Sequence, residues 1–147
     1  LAAVLGHEVS HVLARHSNER LSQSQLANLG MTAADMALAD SSVRQPAMAA
    51  LGLGAQVGVL LPYGRVQESE ADVLGLQLMA SAGFDPAQAI PLWQNMGAAS
   101  KGKQTPEFLS THPSGQSRIA EIQSQLPTVM PLYEKARAMG RKPQCQS

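Results

Sequence analysis

The chain has 147 residues, enough for one domain with a hydrophobic core. Its 11 basic and 11 acidic side chains balance and form no basic cluster, which argues against nucleic acid as the main partner. Hydrophobic residues make up 44% of the chain but aromatic residues only 3%, a composition that suits packed helices better than sheets.

The first predicted element is a helix over residues 1–15 that carries two histidines. His7 and His11 are four residues apart, so both imidazoles lie on one helical face and can bind the same ion. Glu8 lies just off that face, near enough to take a proton from a water on the ion. This His-Glu-x-x-His arrangement is typical of zinc peptidases, although it can also arise by chance in an amphipathic helix. Apolar flanks predict a buried helix whose polar groups need a metal.

Two helices are predicted between this motif and the next. The first covers Glu19–Ala39 and ends before the serines at 41 and 42. The second covers Ala47–Leu61 and is strongly apolar. It is shorter than the about 20 residues that a membrane span needs, so we predict a tightly packed buried helix and no transmembrane segment. Residues 61–65, with the sequence Leu-Pro-Tyr-Gly-Arg, are predicted to form a turn.

The second helix with chemical potential is predicted over Val66–Ala82. Glu68 and Asp72 share one of its faces, whereas Glu70 points roughly the opposite way. A catalytic zinc site needs a third protein ligand and one open position, and we predict Glu68 as that ligand. Asp72 would then accept the ring N–H of a ligand histidine, namely His7. The alternative is a solvated acidic face, which the apolar neighbours on this helix disfavour.

The remainder of the chain is also predicted to be helical. The predicted elements are a helix opened by Asp85 and Pro86, a loop over Gly97–Pro106, and two helices over Gly115–Gln125 and Val129–Met139, separated by Pro127. No strand is predicted, so the fold class is mainly α. Residues 1–147 are interpreted as a single compact helical domain, truncated at its N-terminus because Leu1 already lies within the metal helix. Cys145 is the one cysteine and can form no internal disulfide.

Taken together, the motifs resemble the family of the heat-shock protease HtpX and the CAAX prenyl endopeptidases, which are gluzincin zinc metallopeptidases. The resemblance rests on the His-Glu-x-x-His helix, on Glu-x-x-x-Asp at 68–72, on Gly-Phe-Asp-Pro at 83–86, and on Thr-His-Pro at 111–113 followed by Arg118. The resemblance spans roughly Leu5 to Ile122. Within the family, the chain is most similar to the soluble bacterial members. Many of those are periplasmic, often with a lipoprotein anchor at the outer membrane, which implies the same location here.

The resemblance implies a zincin-type domain that uses Zn²⁺ to hydrolyse peptide bonds of unfolded or misassembled proteins, as in envelope quality control. Zinc activates a water molecule, and Glu8 acts as the general base. By resemblance, His112 is the candidate donor to the oxyanion, with Arg118 as its neighbour or as a second donor. A helix-capping or core role for His112 is the plainer alternative.

A different function is a zinc-stabilised helical chaperone or binding module that holds polypeptides without cutting them. An intact Glu8 argues for hydrolysis, since a structural site has no need of it. Family members carry a substrate-pairing strand ahead of the metal helix. We therefore expect the truncated chain to be weakly active or inactive unless an N-terminal segment, or another copy in a homo-oligomer, completes the site.

Overall fold

The computed structural model describes residues 1–99, 112 and 116–144, and these residues form helices and turns without any strand. The predicted mainly α fold class is therefore confirmed. The described α-helices are α1 (Ala2–Leu13), α2 (His16–Ala37), α3 (Arg44–Ala55), α4 (Leu61–Ala82), α5 (Ala89–Ala99) and α6 (Gln116–Ala138). A π-helical segment (Gln56–Leu60) joins α3 to α4, and a 3-10 turn (Pro86–Gln88) precedes α5. Most of the predicted loop at 97–106, the first residue of the helix predicted from Gly115, and Cys145 lie outside the described residues.

The chain, treated above as one domain, divides into two compact units. The first unit comprises Leu1–Ala14 and Glu68–Ser147, and the second comprises Arg15–Gln67. Every residue predicted above to bind metal or to act in catalysis belongs to the first unit. The core of that unit is formed by α4, α5 and α6, and its fully packed members are Leu76, Ala80, Ala89, Trp93, Ile119, Ile122 and Val129.

Helix α1 crosses the part of α4 that belongs to the first unit, and the two backbones are in contact at the crossing. A Cβ atom on Gly6 would lie 2.9 Å from the carbonyl oxygen of Gly75, and a Cβ atom on Gly75 would lie 2.9 Å from the amide nitrogen of His7. Real side chains do not tolerate such separations, so only glycine fits at both positions. The crossing brings the histidine-bearing face of α1 against the carboxylate-bearing face of α4.

Two predicted breaks are wrong, because the helices continue through the prolines concerned. Helix α4 includes Pro62, where a turn is predicted; the π-helical segment just before it widens the helix and accommodates a residue that lacks an N–H. Helix α6 runs through Pro127 and Pro131. Ile122 and Val129, on either side of Pro127, are buried in the core, and this packing outweighs a proline cost of about 3 kcal/mol.

The predicted end of α4 and the predicted start of the next helical segment are confirmed. Gly83 has a φ of 86°, and its amide donates to the carbonyl of Ala80. Helices often end on a residue in this left-handed backbone conformation, which favours glycine. The carboxylate of Asp85 then accepts from the amide of Ala87 at 2.9 Å, with Pro86 at the first helical position.

Two predictions of burial are wrong. No residue of α3 or of the π-helical segment is buried, although a tightly packed core helix is predicted there. In α1 only Gly6, His7 and Ser10 are buried. Its apolar residues on the other side are exposed, namely Leu5, Val9, Val12 and Leu13. Apolar composition predicts helices correctly here but not which of their faces are covered.

The second unit is an antiparallel pair of helices. Near the connecting loop, Arg44 donates two hydrogen bonds to Asp35 at 2.7 and 2.8 Å, and these bonds lower the pKa of the Asp35 carboxyl. At the opposite end, Arg20 donates to the side chain of Gln67 at 2.6 Å. Helix α2 thus runs back along the continuous helix that begins at Arg44. By length and composition alone, the helix Arg44–Ala82 is one candidate membrane span among the described residues.

Candidate metal centre

Four side chains of the first unit converge on one point. His7 and His11 come from α1, Glu68 comes from α4, and His112 precedes α6; one ligand atom of each lies within 4.8 Å of the others. The Nε2 atoms of His7 and His11 are 3.1 Å apart. Glu68 Oε2 lies 3.3 Å from His7 Nε2, and Glu68 Oε1 lies 3.4 Å from His11 Nε2. The three predicted ligands are thus brought together, and a fourth donor stands beside them.

The donor set of the cluster fits a divalent cation. His7 Nδ1 lies 2.9 Å from Asp72 Oδ1, so a neutral His7 carries its proton there and its Nε2 presents a lone pair. That Nε2 faces His11 Nε2 and, at 3.2 Å, His112 Nδ1. Each of these contacts is a hydrogen bond when one of its two nitrogens carries a proton, and a cation bound by the lone pairs can take the place of those protons. Zinc takes imidazole and carboxylate ligands, so the residues present fit this metal.

The charges of the cluster also favour a bound cation. Burial raises the pKa of Glu68, but hydrogen bonds from His7 and His112 outweigh it and bring this pKa down to about 2. Burial likewise lowers the pKa of His7, but hydrogen bonds to Asp72 and Glu68 outweigh it and raise this pKa above 6.5. The carboxylate therefore stays ionised and attracts positive charge, which a bound metal supplies in place of protons.

Asp72 and Arg118 form a buried support behind His7. The guanidinium of Arg118 donates from Nε to Asp72 Oδ2 at 2.6 Å and from Nη2 to Oδ1 at 2.7 Å, and it reaches Glu68 at 3.3 Å. Its carbon Cζ lies 3.9 Å from the ring centroid of Trp93, which is 2% exposed. The contact predicted between Asp72 and His7 is present. The contact of Trp93 with Arg118 was not predicted, because the sequence of an apolar helix indicates only core packing for its tryptophan.

Glu8 lies at the rim of the cluster. Its side chain is 45% exposed, yet the Oε1 atom is buried and has no hydrogen-bond partner within the described part of the chain. The ring nitrogen Nε2 of His112 lies 3.5 Å from this oxygen. A buried carboxylate oxygen without a hydrogen bond is costly, and an ion, a water molecule or a catalytic role can account for it. Neither Glu70 nor His16 belongs to the group of candidate ligands that the described residues contain.

A helix with two histidines and a glutamate between them, a carboxylate from a second helix, and an unbonded carboxylate oxygen at the rim define the gluzincin class of metallopeptidases. The chain belongs to peptidase family M48, whose family model matches residues 1–126. This match confirms the resemblance to HtpX-like gluzincins found in the sequence.

Several curated proteins are similar to this chain over most of its length. It is 41% identical over 136 residues to the mitochondrial metalloendopeptidase OMA1 of Schizosaccharomyces pombe. That alignment covers 86% of this chain and 36% of the relative. It is 34% identical over 157 residues to the beta-barrel assembly-enhancing protease of Escherichia coli O157:H7. That alignment covers 95% of this chain and 32% of the relative. The chain thus spans about a third of the length of these relatives. No solved structure matches it.

Proposed function

We propose that this chain is the catalytic domain of a zinc-dependent endopeptidase that cuts unfolded or misassembled polypeptides. The observation that carries the proposal is the convergence of His7, His11 and Glu68 on one point beside the unbonded oxygen of Glu8. A zinc site that only stabilises a fold is closed by its ligands and has no use for such a carboxylate. Membership of a peptidase family supports the peptide bond as the bond that is hydrolysed.

Each residue of the site has a distinct task in the proposed reaction. Zinc held by the three ligands would polarise the scissile carbonyl and acidify a water molecule. Glu8 accepts the proton of the attacking water and delivers it to the nitrogen of the leaving amine. Asp72 keeps the proton of His7 on Nδ1, so that Nε2 remains turned towards the other ligands.

His112 is proposed as the donor to the developing oxyanion. Its Nδ1 lies 2.8 Å from Glu68 Oε2, which fixes the ring, and its Nε2 is turned to the side of Glu8. Because Nδ1 already donates to the Glu68 carboxylate, donation from Nε2 to the oxyanion requires a proton on both ring nitrogens. For Arg118 we propose a positioning role in place of direct donation, since its guanidinium is bonded to both buried carboxylates.

The substrates and the location are proposals of the same kind. One group of relatives is named for enhancing β-barrel assembly, which supports a role in protein quality control in a bacterial envelope. Another group is mitochondrial by name, so the relatives do not share one compartment. A periplasmic location with an outer-membrane anchor is therefore proposed on the resemblance to bacterial members alone.

Removal of the metal is expected to abolish cleavage reversibly. The purified full-length protein should contain stoichiometric zinc by elemental analysis and should cleave casein, and treatment with a chelator should remove the zinc and stop the cleavage. Because the ligands bind zinc only in the folded state, the metal-free protein should also unfold at a lower temperature. Zinc added back should restore cleavage and stability. Unchanged casein cleavage after complete loss of zinc would contradict the proposal.

Arg118→Lys is expected to weaken zinc binding about 10–100-fold. Lysine cannot reproduce the two parallel bonds to Asp72 while also reaching Glu68 and stacking on Trp93, so the carboxylate would no longer hold His7 in place. Competition with a chelator of known affinity measures the dissociation constant. Arg141→Lys is the matched control, because the guanidinium of Arg141 is exposed and donates to the carbonyl of Ser81. Equal zinc affinities of the two variants would show that Arg118 does not position the ligands.

A further inference from the structure

Trp93 is the one tryptophan of the chain and lies within α5. It belongs to the hydrophobic core of the first unit, together with Leu76 and Ile122. Core packing would explain any large apolar side chain at this position. The ring also contacts two polar residues, His7 and Arg118, and both of them belong to the metal centre or to its support. Core packing alone does not account for this pair of contacts.

The first contact is with the guanidinium of Arg118, whose carbon Cζ lies over the ring at 3.9 Å from its centroid. This distance is well within the about 6 Å at which a cation is attracted to an aromatic face. The N–H groups of a guanidinium all lie in one plane, and those of Arg118 are directed to Asp72 and Glu68. An aromatic ring against the central carbon limits how that plane can turn. Trp93 therefore helps to aim the donors of Arg118 at the two carboxylates.

The second contact is with the imidazole of His7, a predicted metal ligand. The two ring centroids are 5.7 Å apart and the ring planes meet at 72°, which is the geometry of an edge-to-face pair. The same imidazole is bonded through Nδ1 to Asp72. Trp93 thus contacts both the ligand and the arginine that holds the carboxylate behind that ligand.

A small cavity borders the metal centre beside Trp93. His7 and Asp72 are its polar residues, and Trp93, Leu76 and Met79 are among its apolar ones. A smaller side chain at position 93 would enlarge this cavity and admit water beside the carboxylate. That water would compete with the guanidinium for the carboxylate oxygens and weaken a pair whose strength depends on a low local dielectric. The indole therefore also limits the water that can reach the support behind His7.

We propose that Trp93 is a positioning residue of the metal centre, because its ring orients the Arg118 guanidinium against Asp72 and packs against His7. Trp93 raises the affinity for zinc in this way without contacting the metal. The inference rests on the proposed function, since it assumes that zinc is the ion that His7 binds.

Zinc affinities of variants at position 93, measured on the whole chain by competition with a chelator, test the proposal. Trp93→Leu should weaken zinc binding about 10-fold, because leucine fills apolar volume but offers no aromatic face to the guanidinium. Trp93→Phe restores such a face and should stay within about 3-fold of the parent. Val129→Ala is the matched control, since Val129 is fully buried in the same core but has no ring. It should unfold more easily and bind zinc like the parent.

A double-mutant cycle with Arg118→Lys shows whether Trp93 acts through Arg118. Trp93→Leu should weaken zinc binding clearly less in the Arg118→Lys background than in the parent, because the guanidinium that the ring orients is already gone. Additive effects of the two substitutions would overturn the proposal. Equal zinc affinities of Trp93→Leu and the parent, or an equal loss in Trp93→Leu and Trp93→Phe, would overturn it as well. A parent chain that binds no zinc would instead refute the proposed function, and the inference with it.

The fluorescence of Trp93 gives a second measurement that needs no substitution at this position. Because the chain has one tryptophan, its emission reports this ring alone. In Arg118→Lys the emission should move to longer wavelength, since water reaches the ring where the guanidinium had covered it. Arg141→Lys, on the exposed arginine that bonds to the carbonyl of Ser81, should leave the emission unchanged. The same emission spectrum in Arg118→Lys and in the parent would overturn the proposal.

Discussion

Replacing Glu8 by glutamine is expected to lower the rate of peptide-bond cleavage by about 10²–10⁴-fold while zinc stays bound. The amide has the same size as the carboxylate but cannot accept the proton of the attacking water. Glu8 is not among the four converging ligand donors, so its replacement should leave the metal in place. Casein cleavage and elemental analysis of the same preparation measure the two effects separately.

Glu70→Gln is the control for this variant. It makes the same chemical change on an exposed carboxylate of α4 that points away from the metal cluster, and it should cleave casein at the parental rate. If Glu8→Gln cleaves as fast as the parent and keeps its zinc, Glu8 is not the base. The zinc-stabilised binding module would then be the better description of this chain.

Gly75→Ala is expected to destabilise the fold by about 1–3 kcal/mol and to weaken zinc binding. The added Cβ would meet the amide nitrogen of His7 at 2.9 Å, and backbone atoms cannot rotate away as a side chain can. Helices α1 and α4 must therefore separate, which moves His7 away from Glu68. Denaturant unfolding measures the first effect, and zinc competition measures the second.

Gly64→Ala in the same helix provides the matched control. Nothing lies within 4 Å of a Cβ at Gly64, so alanine should stabilise α4 by about 0.5–1 kcal/mol through its higher helix propensity. The two substitutions are chemically identical and differ only in what the methyl group meets. Equal effects on stability would mean that the close helix crossing does not set the geometry of the site.

Local spacing accounts for the part of the site that could be predicted from the sequence. His7 and His11 share a face of α1 wherever that helix lies, and Glu68 and Asp72 share a face of α4 for the same reason. The helix class itself followed from residue composition, and the end of α4 from Gly83. These features depend on contacts within a few residues, which the order of the amino acids determines directly.

The tertiary structure decided everything that depends on distant neighbours. Pro127 lies inside a helix because the core residues on both sides of it hold that helix together, and Arg118 supports Asp72 because α6 packs beside α4. The uncharged stretch after Arg44 reads as a core helix from its composition, yet the fold leaves it uncovered. Helix propensity and periodicity are local properties, whereas burial and the convergence of ligands depend on which helices meet, and composition alone does not specify that.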